Sequence, residues 1–593
     1  MMHITAPSRK TIQSVLVSAG ALLLPVGVLS LVLTMPELVT GRARLGSFVA
    51  HGALLLVILL VLTSLRTRRY PRATRLTTAM VVGYLIGFAA TEAGIQYVYA
   101  RHFTPRGDIP MVRSLIQLGL GPVGPLADLL TPIIIVVLAV VLGATGMLWV
   151  WMARRVAARV PNPHGGLGLL AAAVLLALII PPSASAFSGP SISRRAVVAW
   201  FDDGGLHLRD LTALDATADA ASAAAADATD PASADSPTAD RDAANATDAT
   251  EAALNTPDYT FPGIRDRDIY FFAIEAYGYA TVSQEEISRE LDPHRDRLEE
   301  VLADNGYQVV SSYLRSPVAG GFSWLAETTF LTGQWITSQA GFEELYDAEL
   351  PSLTSFLYDG GYHTFSVRPG TVHGSWPEGW DLFRFEESLV AHDGDFDYAG
   401  PWFSYVAITD QYALWQAHSY LTQAIAPEGP AADRPVAAYY QLVSSHTPFN
   451  RIPPIIEDWE ELGDGSVYEE RSQEILTFDN SWSGGTELIE GYTAAISYTM
   501  RAITKYVEDE LYHDREPILI IFGDHQAQRP IREADAHLSV PIHVASRDAD
   551  IVERFRSRGF QRGMVSDEAP PHRDMSDFFP LFMEIARDRT SAR

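Results

Sequence analysis

The sequence contains no cysteine among its 593 residues. Disulfide scaffolds, zinc sites with cysteine ligands, iron–sulfur clusters and thiol catalysis are therefore excluded. Lysine is nearly absent too, because Lys10 and Lys505 are its only occurrences. Arginine must then supply almost all of the positive charge, and its distribution along the chain becomes informative.

Positive and negative charge lie in different parts of the chain. Residues 1–200 have 17 Lys and Arg against 4 Asp and Glu, a net charge of +13. The remaining 393 residues have 27 against 68, a net charge of −41. This division excludes a single soluble globule. We also predict no nucleic-acid partner, because the acidic part lacks the basic surface that phosphate neutralisation requires.

Five apolar stretches predict a five-span membrane domain over residues 1–190. Each has about the 20 residues that a helix needs to cross a hydrocarbon core roughly 30 Å thick. They lie at about 12–35, 46–64, 77–99, 131–153 and 167–186. The first stretch could instead be a signal peptide, but its apolar run exceeds the roughly 7–15 residues of such a segment and further spans follow directly. We therefore predict that it is retained.

Charged loops set the predicted orientation, because Lys and Arg resist translocation. Most Lys and Arg residues of this part lie in three segments: before span 1, between spans 2 and 3, and between spans 4 and 5. They are Arg9, Lys10, Arg66, Arg68, Arg69, Arg72, Arg75, Arg154, Arg155 and Arg159. The protein is thus predicted to lie in the cytoplasmic membrane with its N-terminus cytoplasmic and everything after residue 190 extracytoplasmic. Glu92 within span 3 is a candidate functional residue, and helix packing is an equal alternative.

Residues 191–258 are predicted to be a juxtamembrane segment and an acidic linker. From about 212 to 258 the chain is almost entirely Ala, Asp, Thr and Ser, with no aromatic residue. Such a composition cannot bury enough apolar area to offset the entropy of ordering. We predict a flexible tether to the next domain.

Residues 259–593 are predicted to form one extracytoplasmic α/β domain. Apolar runs such as DIYFFAIEA, HTFSVRPG, AAYYQLVSS, PILIIFGDH and VPIHVAS alternate with helical patterns such as RDRLEEVLADNG and EGYTAAISYTMRAITKYVEDELY. Strands that are apolar on both faces and separated by helices predict a mainly parallel sheet covered by helices on both faces. Ligands of such sheets bind outside the carboxyl ends of the strands.

Two of these predicted strands end in residues that can bind metal. Glu275 directly follows Ile269–Ile274, and Asp524 and His525 follow Gly523 at the end of ILIIFGDH. Carboxylate and imidazole ligands suit Mn²⁺, Mg²⁺ or Zn²⁺. For Glu275 alone, a solvent-facing residue at a helix start is the favoured alternative. For the Asp–His pair, metal ligation and a solvated loop are balanced.

The stretch GGFSWLAETTFLTG is the most informative in the chain. Gly320 and Gly321 allow a tight turn, and Ser323 then begins a helix of about ten residues that ends at Gly333. A hydroxyl at a helix N-terminus lies near unsatisfied N–H groups, which favour a bound phosphate and a developing alkoxide. The alternative is that Ser323 is only an N-cap.

The segment SWLAETTFLTG resembles the nucleophile helix of the alkaline phosphatase and sulfatase superfamily. Together with Glu275, the GDH sequence at 523–525 and the order of spans, linker and outer domain, it resembles the lipoteichoic acid synthase and phosphoglycerol transferase branch. The resemblance covers nearly the whole chain. It implies an alkaline phosphatase-like fold for the outer domain.

The resemblance also implies roles for particular residues. Glu275, Ser323, Asp524 and His525 would hold one divalent metal, manganese first with magnesium or zinc as alternatives. Ser323 would be the nucleophile. His446, in SSHTPF, would contact the phosphate or protonate the leaving oxygen, with a turn histidine before Pro448 as the alternative reading.

The family's substrate-headgroup loop matches RPGTVHGSWPEGW. Arg368, His373 and Trp376 are the substrate-binding candidates there. Which of Arg368 and His373 binds the headgroup stays open, and Trp376 is equally suited to packing.

The implied function is a membrane-anchored phosphoglycerol transferase. It would move the headgroup of a phospholipid donor, such as phosphatidylglycerol, to an envelope glycan or polyol-phosphate acceptor through a covalent Ser323 intermediate. A phosphodiesterase, a phosphoethanolamine transferase and a non-catalytic envelope binding protein are the alternatives. Three positions depart from the family: Ser323 stands where a threonine is usual, Ala276 where a serine often follows the metal glutamate, and Gln526 follows GDH.

Overall fold

The computed structural model describes residues 72–99, positions 137, 140–145, 147–148 and 151, and residues 259–588 apart from 266, 349, 372–376, 392, 482–483, 534–536 and 565–571. The chain divides into two units, Met1–Gly205 and Leu206–Arg593.

The first unit contains helix α1, Arg72–Tyr99. Its segment Ala79–Gln96 has a mean hydropathy of 1.3 and is long and apolar enough to cross a membrane. This segment falls within the third predicted span. Glu92 is buried there and accepts a hydrogen bond from the Gln96 side chain at 2.5 Å. The other four predicted spans and the acidic linker lie wholly or largely outside the described residues, so the five-span domain stays a prediction.

The outer domain alternates strands and helices. Its strands are β1 Ile269–Ile274, β2 Gln308–Arg315, β3 His363–Arg368, β4 Glu387–Val390, β5 Val436–Leu442, β6 Arg451–Ile452, β7 Leu476–Thr477, β8 Asn480–Ser481, β9 Gly484–Gly485, β10 Ile518–Gly523, β11 Ser539–Ser546, β12 Gln561–Arg562 and β13 His572–Asp574. Its α-helices are α2 Ala280–Ser283, α3 Glu285–Asp304, α4 Ser323–Thr332, α5 Gln339–Asp347, α6 Leu353–Asp359, α7 Pro377–Phe383, α8 Asp410–Ala424, α9 Val467–Glu470, α10 Leu488–Asp509, α11 Ala549–Arg556 and α12 Phe578–Arg587. Short 3₁₀ helices cover Trp459–Leu462, Ser472–Glu474, His513–Arg515 and Met575–Asp577.

The main sheet is mixed, with a core of parallel strands. Its order is β12-β2-β11-β10-β1-β5-β3-β4, and β13 pairs with β2. The five strands β10, β1, β5, β3 and β4 are parallel, whereas β11 is antiparallel to both β10 and β2. The predicted mainly parallel sheet is therefore confirmed for the five central strands, and β11 adds an antiparallel edge. Among the described residues no helix separates β10 from β11, so the chain returns without the crossover that a parallel pair requires.

Helices cover both faces of the central strands, as the sequence predicts. All six residues of β1 are buried. Phe272 packs against Tyr506 of α10, with ring centroids 6.2 Å apart. Its neighbour Phe271 points to the other face, where it meets Phe330 of α4 and Phe582 of α12. Because side chains alternate across a strand, an uninterrupted apolar run can supply both of these interfaces.

Candidate active site

Strand register brings the predicted acids together at the carboxyl edge of the sheet. Ile274 of β1 pairs with Gly523 of β10 on one side and with Leu442 of β5 on the other. The residues that follow these strands, among them Glu275 and Asp524, therefore emerge side by side. Gly523 is needed at this point, because a Cβ there would lie 1.9 Å from the Tyr277 carbonyl oxygen.

The turn after β1 orients the Asp524 side chain. Ala276 has a φ of 57°, in the left-handed region that non-glycine residues seldom adopt. Its backbone N–H donates to Asp524 Oδ1 at 2.8 Å, and the His525 N–H donates to the same oxygen at 2.6 Å. With Oδ1 held by two backbone donors, Oδ2 is the oxygen on the side of the His525 ring, 3.6 Å from its Nε2.

Ser323 is the first residue of α4 rather than its N-cap. The N-cap is Phe322, which has a φ of 67° and makes no side-chain capping bond. The Ser323 hydroxyl donates instead to Glu275 Oε2 at 2.8 Å and lies 3.2 Å from His525 Nε2. The N-cap alternative for Ser323 is therefore wrong. The helix itself is confirmed, since it runs to Thr332 with Gly333 as its C-cap.

Glu275, Asp524 and His525 form a group able to hold a metal ion. One ligand atom from each lies within 4.8 Å of the others, and all three residues are buried. Glu275 Oε1 is 3.1 Å from His525 Nε2. Because His525 Nδ1 bonds the Gln526 carbonyl oxygen at 3.0 Å, which can only accept, Nε2 is left as the ligand atom. The donor set of carboxylate oxygens, imidazole and hydroxyl fits a divalent cation.

The electrostatics of the group also suit a cation. Burial and then the charge of Glu275 raise the pKa of Asp524. Burial opposes ionisation of Glu275 as well, but the charges of His446 and His525 outweigh it and lower the Glu275 pKa. Burial likewise opposes the charged form of His525, and the two carboxylates reverse this and raise its pKa to about 9. Two adjacent buried carboxylates thus require positive charge close by.

His446 also lies beside this group. Its Nε2 is 3.9 Å from Glu275 Oε1, and its side chain is 15% exposed. His446 Nδ1 bonds the Thr447 carbonyl oxygen at 2.8 Å, which directs Nε2 toward the acids. The preceding Ser445 donates its hydroxyl to the Glu275 carbonyl oxygen at 2.6 Å. The loop that carries His446 is therefore tied to the turn that carries Glu275.

Arg368 occupies a different environment from the other candidates. Its guanidinium is buried and forms two close contacts with Glu327, Nη1 to Oε2 at 2.7 Å and Nη2 to Oε1 at 2.5 Å. In this position it faces the protein interior, and its substrate-binding role stays a prediction. His373 and Trp376 lie outside the described residues. Glu327 was not identified from the sequence as the partner of Arg368. The signal was a single acidic residue in the otherwise apolar stretch of α4, which indicates a buried ion pair.

No protein-family model matches the chain, and no curated protein matches it. Solved structures similar to it include the lipoteichoic acid synthase LtaP from Listeria monocytogenes, with 14% identity over 57% of this chain and 76% of LtaP and a TM-score of 0.36. A protein in the alkaline phosphatase superfamily from Vibrio parahaemolyticus has 15% identity over 56% of this chain and 71% of its own, with a TM-score of 0.32. The Streptococcus pyogenes phosphoglycerol transferase GacH, in complex with sn-glycerol-1-phosphate, has 10% identity over 54% and 85%, with a TM-score of 0.33. These similarities concern the fold alone, and activity, metal and substrate do not follow from them.

Proposed function

We propose that this protein is a membrane-anchored, metal-dependent phosphoglycerol transferase with Ser323 as its nucleophile. The observation that carries the proposal is the hydrogen bond of 2.8 Å from the Ser323 hydroxyl to Glu275, within the buried Glu275, Asp524 and His525 group. The donor would be a phospholipid such as phosphatidylglycerol. The acceptor would be a hydroxyl of an envelope glycan or polyol phosphate.

Glu275, Asp524, His525 and the Ser323 hydroxyl would hold the divalent metal, with manganese as the first candidate. When bound, the metal would stabilise negative charge on the attacking and phosphoryl oxygens. Ser323 Oγ, which its hydrogen bond to Glu275 orients, attacks phosphorus while its proton is released to water. The bond between phosphorus and the diacylglycerol oxygen breaks.

His446 would transfer the second proton. Its Nε2 donates a proton to the leaving diacylglycerol oxygen, and the result is a glycerophosphoryl group on Ser323. In the second half-reaction, an acceptor hydroxyl loses its proton to the same nitrogen and attacks phosphorus. The bond to Ser323 Oγ then breaks, and the serine oxygen regains a proton from water. Water in place of the acceptor would make the same site a phosphodiesterase.

The test is turnover by the purified full-length protein with a fluorescent phosphatidylglycerol. Diacylglycerol release should require added Mn²⁺ after chelation, and Ser323→Ala should lower it roughly a thousandfold or more. Ser472→Ala, a change at an exposed serine, is the matched control and should leave release unchanged. Release by Ser323→Ala at the wild-type rate would contradict the proposal.

The products distinguish the remaining alternatives. Glycerophosphoryl transfer to a supplied glycan or polyol-phosphate acceptor supports the transferase, whereas free glycerol phosphate alone identifies a phosphodiesterase. A fluorescent phosphatidylethanolamine assayed in parallel tests the alternative headgroup. No turnover of either lipid by the metal-loaded protein would favour a binding role.

A further inference from the structure

The imidazole of His446 lies flat against the ring of Tyr405. The ring centroids are 3.9 Å apart and the planes are inclined by 18°. Tyr405 is half-buried and is separated in sequence from every other residue of the site. Such a stack fixes the plane of the imidazole while its edge, with Nε2, remains directed at Glu275.

Asp410 holds the backbone that precedes His446. It is fully buried at the start of α8, and its Oδ1 accepts hydrogen bonds from the Val443 and Ser444 N–H groups at 2.8 and 2.9 Å. Its Oδ2 accepts the Thr499 hydroxyl at 2.6 Å. A buried carboxylate is costly unless its oxygens are hydrogen-bonded. The hydrogen bonds of Asp410 therefore hold its side chain against the backbone that follows β5.

Ser404 holds the backbone on the other side of His446. Its hydroxyl oxygen accepts hydrogen bonds from the Asn450 and Arg451 N–H groups at 3.1 and 3.3 Å. The segment Ser404–Asp410 therefore contacts the chain around His446 at three points. Asp410 bonds the backbone before the histidine, Tyr405 stacks on its ring, and Ser404 bonds the backbone after it. Ser445, inside the same loop, is in turn bonded to the Glu275 carbonyl oxygen.

We propose that Tyr405 and Asp410 are positioning residues that fix the His446 imidazole against Glu275, with Ser404 closing the same loop. The proposal rests on the proposed function, because it assumes that His446 transfers protons during turnover. It adds the requirement that the His446 imidazole be held in a fixed position, which the group of Glu275, Asp524 and His525 does not impose. A displacement of about 1 Å at a reacting group can lower turnover by roughly 100-fold.

The first test is a double-mutant cycle in the full-length protein. Tyr405→Leu and Asp410→Ala should each lower kcat by roughly 10- to 100-fold, with KM changed much less. Tyr405→Phe keeps the stacked ring and Asp410→Asn keeps a carbonyl oxygen for the two N–H groups, so both should restore most of the lost kcat. In a His446→Ala background the Leu and Ala changes should lower kcat less than about twofold.

The control is Tyr512→Leu. Tyr512 makes a similar stack on His418, with centroids 4.8 Å apart, but it precedes β10 and so lies at the amino end of the strands. This change should leave kcat unaffected. Equal losses from Asp410→Ala with and without His446 would show a general structural role and overturn the proposal.

A second measurement needs no turnover. In full-length protein with ¹³C-labelled histidine, the His446 signal is assigned by its absence in His446→Ala. The Tyr405 ring current should shift this signal, so Tyr405→Leu should move it strongly, Asp410→Ala should move it and Asp410→Asn should not. An unmoved signal would overturn the positioning proposal. Wild-type turnover by His446→Ala, with the signal moving as expected, would instead overturn the role given to His446 in the proposed function.

Discussion

Arg368 and Glu327 form a buried ion pair that joins strand β3 to the helix carrying Ser323. The two contacts are 2.7 and 2.5 Å long, and Glu327 lies four residues, about one helical turn, beyond Ser323. The guanidinium also lies 5.2 Å from the Tyr439 ring centroid and 5.4 Å from that of Phe385. This pair fixes the first turns of α4 relative to the sheet.

Glu327→Ala should destabilise the outer domain strongly. It leaves the Arg368 charge buried without its carboxylate partner, which typically lowers the free energy of unfolding by about 3–5 kcal/mol. Chemical denaturation of the full-length protein, followed by hydrogen exchange of α4 peptides, measures the change. Glu344→Ala, at an exposed glutamate of α5, is the control and should change stability by less than about 0.5 kcal/mol. Equal stability of the two variants would show that the ion pair is unimportant.

Replacing both partners should be milder than removing one. In Glu327→Leu combined with Arg368→Met, no buried charge is left, and such replacements are often neutral or stabilising. We expect the double variant to be more stable than Glu327→Ala in the same denaturation experiment. Retained turnover would assign Arg368 a structural role, whereas loss of turnover with a rise in KM would support its predicted contact with substrate.

Glu275→Gln and Asp524→Asn should each weaken Mn²⁺ binding. Each removes an anionic ligand oxygen from the buried group, so the loss should exceed the roughly 10- to 100-fold that follows removal of an outer hydrogen-bond partner. Calorimetric titration of the full-length protein gives the affinity. Asp304→Asn, at an exposed position on α3, should bind Mn²⁺ as the wild type does. Unchanged affinity in Glu275→Gln would remove this residue from the metal site.

Metal binding should release protons near neutral pH. Burial and the Glu275 charge raise the pKa of Asp524, and the two carboxylates raise that of His525 to about 9 against the effect of burial. Both groups must lose their protons to act as ligands, so affinity should rise with pH up to about 9. Titrations at pH 7 in buffers of different ionisation enthalpy count the protons released, and a count of zero would contradict these pKa directions.

His543 should make the outer domain sensitive to acid. It is buried on β11 between the hydroxyls of Ser311 and Tyr277. Burial, then the Arg295 charge, lower its pKa from 6.5 to about 3. The unfolded chain therefore binds the proton first as pH falls. Between about pH 6.5 and 3, the free energy of unfolding should fall by up to about 1.4 kcal/mol per pH unit from this group.

His543→Gln keeps polar atoms at this position but cannot titrate. Its stability should therefore fall less steeply over the same pH range, whatever its stability at pH 7. Hydrogen exchange of β11 peptides in the full-length protein at several pH values measures the slope. Identical slopes in the variant and the wild type would show that His543 does not contribute.

The central part of the fold and site could be predicted because its signals are local in sequence. Apolar runs identify β1, β3, β5, β10 and β11, and Glu275, Asp524 and His525 directly follow two of them. Parallel strands place such residues at one edge. Ser323 was found through the turn and helix around it, and its hydrogen bond to Glu275 agrees with that placement.

The remaining features depend on contacts between distant parts of the chain. The antiparallel edge follows from where β2 and β11 pair, which their apolar composition does not specify. Arg368 was predicted to face substrate because its loop matched a family motif, whereas its partner Glu327 lies 41 positions earlier. The stack of Tyr405 on His446 likewise joins segments that show no common pattern in the sequence.

Mass spectrometry of the Ser323 peptide, after brief reaction of the Mn²⁺-loaded, full-length protein with phosphatidylglycerol, tests directly whether Ser323 is the nucleophile. This peptide should gain the mass of one glycerophosphoryl group, and the gain should be absent in Ser323→Ala. Addition of acceptor should discharge it. An adduct on any other residue, or turnover of the lipid with no adduct on Ser323 at any reaction time, would contradict the claim that Ser323 is the nucleophile.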